Sequence, residues 1–154
     1  MPYNVLLVCS GNTCRTAMAQ GTLRELLREA GADGIRVTSA GTLGIEGAPA
    51  TPEAVTVAAE SRVDISDHRS SALTPERIES ADLILAMARH HVDEITDLVP
   101  AAAGKTHLLS TYAGRGDEDV PDPIGGDLDE YRSSYGLIRD LLRSALPRIL
   151  ENER

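Results

Sequence analysis

Short apolar runs alternate along this chain with longer stretches of helical periodicity, and that alternation leaves few folds open. Val5 to Val8 reads as a strand, and a helix is expected from about Thr16 to Ala30, with Ala19, Leu23, Leu26, Leu27 and Ala30 on one face and Gly31 stopping it. Ile35 to Thr38 reads as a second strand. Thr51-Pro52-Glu53 opens a helix with threonine as cap and proline in the first turn, and Thr74-Pro75-Glu76 repeats the signal. Leu83 to Ala86 is a continuous apolar run, as a central parallel strand requires; a helix from about Arg89 to Leu98 follows and Pro100 ends it. Thr106 to Leu109 is the last strand expected. Ser110 to Asp127 is rich in Gly, Pro and Asp without periodicity and reads as a loop. The final helix begins near Asp127, with Glu130 placed for a capping interaction, and carries Tyr131, Tyr135, Ile138, Leu142, Ala145 and Ile149 at helical spacing. Such a chain builds a parallel sheet covered on both faces, with ligands bound beyond the carboxyl ends of the strands. No repeat, low-complexity linker or shift in composition divides it, so residues 1–154 are expected to form one domain.

Cys9 stands at such a strand end, and the segment after it is Ser10-Gly11-Asn12-Thr13-Cys14-Arg15-Thr16. A thiolate is the reactive form of cysteine, and the amides opening the next helix, its dipole and Arg15 all favour an anion there. The same amides suit a phosphoryl dianion. Nucleophile, anion cradle and cationic clamp thus fit in one short segment, because Cys9 and Arg15 converge on a single tetrahedral phosphorus across a Gly-Asn-Thr turn. A buried cysteine capping a strand would be inert, and it would explain neither that turn nor the arginine. The long loop holds Asp119-Val120-Pro121-Asp122-Pro123, in which two prolines stiffen the backbone around Asp122. A carboxyl group held over the phosphate would protonate a leaving group, though an Asp-Pro pair also forms turns with no further purpose.

Composition narrows the partners. The formal charge of −9 argues against sequence-independent nucleic-acid binding, which needs clustered Lys and Arg, so any phosphate site must make its positive field locally. Tyr3-Asn4 leads straight into the first strand without a charged leader or long apolar segment, so no membrane partner and a cytoplasmic location are expected. Two cysteines without a secretory signal fit a reducing compartment.

Val8 to Arg15 near the N-terminus, with Asp122-Pro123 late in the chain, resembles the low-molecular-weight protein tyrosine phosphatases. Ser39-Ala40-Gly41-Thr42, His68-Arg69-Ser70 and Ser80 to Met87 fall where that family has related segments. The resemblance implies a flavodoxin-like three-layer sandwich with a central four-stranded parallel sheet, and two-step hydrolysis of phosphorylated proteins or peptides without cofactor or metal. It implies Cys9 as nucleophile, Arg15 as clamp and Asp122 as general acid. Ser10, Gly11, Asn12, Thr13, Cys14 and Thr16 would bind phosphate or another oxyanion. Asn12 would hold the loop in shape by side-chain hydrogen bonds, and Thr16 would sit close enough to the thiolate to donate one.

Thr13 bears on the substrate. Tyrosine-specific members usually carry a bulkier aliphatic residue there, whereas threonine is similar to the protein arginine phosphatases of the same family. Pro123 is followed by Ile124-Gly125-Gly126, Thr42 to Ala48 contains no aromatic residue, and the chain has no Phe or Trp, so a phenol ring lacks stacking partners. Phosphotyrosine and phosphoarginine both stay open. Thr16-Ala17 stands where Ser-Pro is usual, and Ala88 where many tyrosine phosphatases have an aspartate, so no role passes to Ala88. An arsenate reductase of the same fold would need cysteines beyond Cys9 and Cys14. A non-catalytic phosphate-binding module would not need Cys9, Arg15 and Asp122 together. Cys14 is near enough in sequence to trap an oxidised Cys9 as a disulfide, or is simply a small buried hydrophobe. No metal constellation is visible: His90 and His91 are adjacent and read as a solvated helix end, His107 as structural, and His68 as support for the site from a neighbouring loop.

Overall fold

A computed structural model of the chain describes residues 1–153. The sheet comprises β1 (Tyr3–Cys9), β2 (Ile35–Gly41), β3 (Leu83–Ala86) and β4 (Thr106–Leu108), in the order β2-β1-β3-β4 with every pair parallel. Its helices are α1 (Arg15–Glu29), α2 (Pro52–Glu60), α3 (Pro75–Ser80), α4 (Arg89–Leu98), α5 (Leu109–Tyr112) and α6 (Leu128–Leu150). The period of two along β1 sorts its side chains into two cores. Val5, Leu7 and Cys9 pack with Met18 and Leu23 of α1 and Ile138 and Leu142 of α6, while Leu6 and Val8 pack with Ile78 of α3 and Ile95 of α4. Both faces of the sheet are therefore packed by helices, and along the edge strand β2 Arg36 and Thr38 remain exposed. The fold class read from the sequence is the one observed.

The caps explain where the helices begin. Thr51 and Thr74 accept from the amides of Ala54 and Arg77, each with proline behind it, and Asp127 accepts from the Glu130 amide at 2.9 Å. Two details differ from the sequence reading. Leu109, assigned to the last strand, instead opens the short helix α5 inside the segment read as loop, because Leu109 and Tyr112 share one buried helical face and the Ala113 amide closes the turn on the Leu109 carbonyl. Past Pro100 the chain forms a 3-10 turn, Pro100–Lys105, rather than simply leaving α4. Among the described residues no helix is long and apolar enough to cross a membrane.

Candidate active site

β1 lies in the middle of the sheet with β2 on one side and β3 on the other, so its carboxyl end opens where neighbouring connections diverge. Cys9 is its last residue, and Arg15 is already the first residue of α1. The five residues between them reverse the chain. Asn12 makes the turn at φ 59°, a left-handed conformation that asparagine tolerates better than most residues. The loop rests directly on β2: a Cβ on Gly41 would meet the Ser10 carbonyl at 2.5 Å, so only glycine fits there. Amides of Thr42 and Leu43 donate to the Cys9 and Ser10 carbonyls, both at 3.0 Å, and tie the loop to the segment leaving β2.

The hydrogen-bond pattern assigns donors. Asn12 Nδ2 donates to Thr16 Oγ1 at 2.7 Å and to Ser39 Oγ at 2.9 Å, and Asn12 Oδ1 accepts from the Ser71 amide at 2.8 Å, so the side-chain amide is fully used. His68 Nε2 donates to the Asn12 carbonyl at 2.7 Å, since a carbonyl only accepts. Burial lowers the His68 pKa, which suits a neutral imidazole in that place. With Thr16 Oγ1 already accepting from Asn12, its own proton is free for Cys9 Sγ, 2.9 Å away. The Asn12 amide also points at that sulfur, at 3.3 Å. Two donors thus converge on the Cys9 sulfur.

Arg15 is almost entirely buried beside this loop. Its Nη1 donates to the Val120 carbonyl at 3.1 Å, while Nη2 lies 3.4 Å from both Ser10 Oγ and Asp122 Oδ2. Nε is buried and unpartnered. Asp122 arrives from the opposite end of the sequence on a loop fixed by the Val120 amide to the Met87 carbonyl at 2.8 Å and by Ser134 Oγ to the Pro121 carbonyl at 3.0 Å. Its carboxylate is 40% exposed and also accepts from the Ile124 amide, so the Asp-Pro turn and the meeting with Arg15 coexist. Gly11 and Thr13 line the partly exposed side of the loop. Cys14 turns the other way, into a buried cluster with Tyr131 OH at 3.3 Å and Thr51 Oγ1 at 3.6 Å, where burial above all pushes the Tyr131 phenol up to about 12.

Several partners were not legible. Ser39, Ser71 and the Val120 carbonyl carry no local signal, because each acts through a contact made only by the fold. His91 corrects the reading of a solvated helix end: it is wholly buried, with Nε2 at 2.9 Å from Ser10 Oγ and Nδ1 accepting the Ala88 amide at 3.1 Å. The available signal was register, since His91 lies four residues before Ile95 on the inner face of α4. Among the described residues His90, His91 and Glu94 come close enough to share an ion, but both ring nitrogens of His91 are already engaged.

Comparisons with known proteins place the whole chain beside one family. A family model described as low molecular weight phosphotyrosine protein phosphatase matches residues 4–154. A protein-arginine-phosphatase of Geobacillus stearothermophilus is 38% identical over 151 residues, covering 98% of this chain and 96% of that one. The low molecular weight protein-tyrosine-phosphatase Etp of Escherichia coli K12 is 34% identical over 135 residues, covering 88% and 86%. Among solved structures, a mutant of the YwlE arginine phosphatase with a phosphorylated active-site serine superposes with a TM-score of 0.91 at 34% identity, covering 98% of this chain and 97% of that one.

Proposed function

The chain belongs to the low molecular weight phosphotyrosine protein phosphatase family, and from that premise we propose which residues carry the reaction and which phosphorylated side chain it takes. It is a cysteine-dependent protein phosphatase that works through a phosphoenzyme. Cys9 attacks phosphorus in line; the S–P bond forms as the bond to the departing side chain breaks, and Asp122 gives that atom its proton. In the second step the Asp122 carboxylate takes a proton from water, the resulting oxygen nucleophile displaces sulfur, and Cys9 leaves as a thiolate stabilised by the hydroxyl of Thr16. Arg15 and the amides of Ser10 to Arg15 hold the equatorial oxygens through both transition states.

One observation carries the assignment of the oxyanion site: Arg15 Nε is buried without a partner in the same loop where Cys9 Sγ receives two donors. A buried guanidinium nitrogen left unpaired is costly unless an acceptor completes it, and a phosphoryl oxygen is such an acceptor.

The substrate reading is phosphoarginine. All four tyrosines, Tyr3, Tyr112, Tyr131 and Tyr135, are buried, and Phe and Trp are absent from the sequence, so no aromatic face is offered to a phenol ring. The exposed apolar groups flanking the two loops are aliphatic: Leu43 at 68%, Ile45 at 41% and Ile124 at 59% exposure. A guanidinium finds its match in the accessible carboxyl group of Asp122, whose carbonyl oxygen can accept an N–H while its O–H gives the departing nitrogen its proton. The Geobacillus relative is named for arginine, which supports the same reading. Turnover of phosphoarginine and phosphotyrosine peptides by the wild type and by Thr13→Ile tests it. The expected result is a preference for phosphoarginine of more than about 10-fold that falls in the variant. A wild-type preference for phosphotyrosine overturns the substrate assignment and leaves the phosphatase assignment standing.

A further inference from the structure

We propose that His91 is a positioning residue for the oxyanion site, acting through Ser10 to fix the direction of the Ser10 hydroxyl and the seat of the Arg15 guanidinium. The inference rests on the phosphatase reading of the loop. Its basis is a chain of assigned protons. His91 Nδ1 accepts the backbone N–H of Ala88 at 3.1 Å, so it carries no proton. The proton of the neutral ring therefore sits on Nε2, which donates to Ser10 Oγ at 2.9 Å. The ring remains neutral because it is wholly buried and because the charges of His90 and Arg15 add to the effect of burial, holding its pKa down at about 3.

Ser10 Oγ also accepts from Arg15 Nη2 at 3.4 Å. Two donors occupy both of its lone pairs, and the one hydroxyl proton is left to point away from them, toward an anion held by the loop. Without His91 the hydroxyl is free to rotate, and a rotated hydroxyl turns a lone pair toward the phosphate. Arg15 feels the same change. Its Nη1 is tied to Val120, its Nη2 is shared between Ser10 and Asp122, and its Nε is free for the ligand, so Ser10 sets one edge of the plane in which Nε is presented. A histidine that never charges in the working range of pH is unsuited to proton transfer, but it suits a fixed donor.

The competing account is that His91 merely closes the first turn of α4 through Ala88. Two amide substitutions separate the roles, because the Asn carbonyl falls near the position of Nδ1 and the Gln amide nitrogen near that of Nε2. His91→Asn keeps the acceptor for Ala88 and loses the donor to Ser10; His91→Gln does the reverse. The measurement is competitive inhibition by inorganic phosphate of p-nitrophenyl phosphate turnover, with thermal unfolding of each variant alongside. The inhibition constant should rise about 10-fold in His91→Asn and stay within about 2-fold of wild type in His91→Gln, the size expected for one hydrogen bond. Ser10→Ala should match His91→Asn, and combining the two should add nothing further. Ser10→Ala leaves the Ala88 contact intact and carries the test if the His91 variants fail to fold. Equal weakening in Asn and Gln variants, an unchanged constant in Ser10→Ala, or additive losses would each overturn the proposal. Failure of the phosphatase reading looks different: the wild type itself would then neither turn over the ester nor bind phosphate competitively.

Discussion

The phosphate loop and the loop that brings Asp122 face one another across the site and are held in opposite ways. Between Cys9 and Thr16 the polar side chains are held from several elements at once: Asn12 alone engages Thr16, Ser39, Ser71 and, through its carbonyl, His68. The acid-bearing loop is anchored at Val120 and Pro121 and is exposed on either side, from Gly114 to Asp119 and again at Asp122 and Ile124. The contrast follows from what each loop meets. In the proposed reaction one presents donors to an oxyanion of fixed shape, where preorganisation is the main source of rate. The other meets a leaving group and the protein chain behind it, so its surface can vary as long as one carboxylate keeps its place.

The largest expected effect tests whether the first loop keeps its shape without the sulfur of Cys9, the proposed nucleophile. Cys9→Ser should lose turnover to background while binding inorganic phosphate about as well as the wild type, because the amides, Arg15 and Asn12 remain. Isothermal titration with phosphate and a turnover assay on the same sample check both halves. Loss of phosphate binding together with turnover would mean that the cradle depends on sulfur and is not preformed.

Asp122→Asn comes second and probes the other side of the contrast. An amide keeps the shape of the group and the turn to Ile124 but has no proton of suitable acidity, so kcat should fall by about 10²- to 10⁴-fold with little change in folding stability. Substrates with an acidic leaving group should lose less, since they need less protonation. An equal loss on p-nitrophenyl phosphate and on an alkyl phosphate would remove Asp122 from the role of acid and leave it as a partner of Arg15.

The same contrast governs what the sequence disclosed. Strands, helix starts and the Cys9 to Arg15 segment are local in their causes, through period, caps and spacing, and the structure places them within about three residues of expectation, the widest gap being β2, which runs on from Thr38 to Gly41. Leu109 was misassigned because an apolar residue at the end of a strand is equally suited to a short helix once Tyr112 shares its face. The meeting of Asp122 with Arg15 has no local cause, since more than a hundred residues separate them; the need for an acid and the prolines around Asp122 suggested it, and the family resemblance singled it out over a plain turn. His91 was missed for a related reason. Beside His90 it read as polar surface, and only the packing of α4 against the second core turns one imidazole inward while its neighbour stays in water.

The smallest expected effect arises from that packing and marks the rigid side of the site. His68, His91 and His107 all have pKa values lowered first by burial, and His91 reaches about 3 against an unfolded value of 6.5. The unfolded chain therefore binds protons that the folded one refuses, so this part of the stability is complete above pH 6.5 and is lost as pH falls. For His91 alone the loss by pH 5 is about 2 kcal/mol. Urea unfolding of phosphate-free protein at a series of pH values should show the midpoint falling through this window, and His91→Gln should flatten the slope. An unaltered slope in the variant would mean that the α4 end opens to water on protonation, and that the rigidity assigned to the phosphate loop does not extend to the helix behind it.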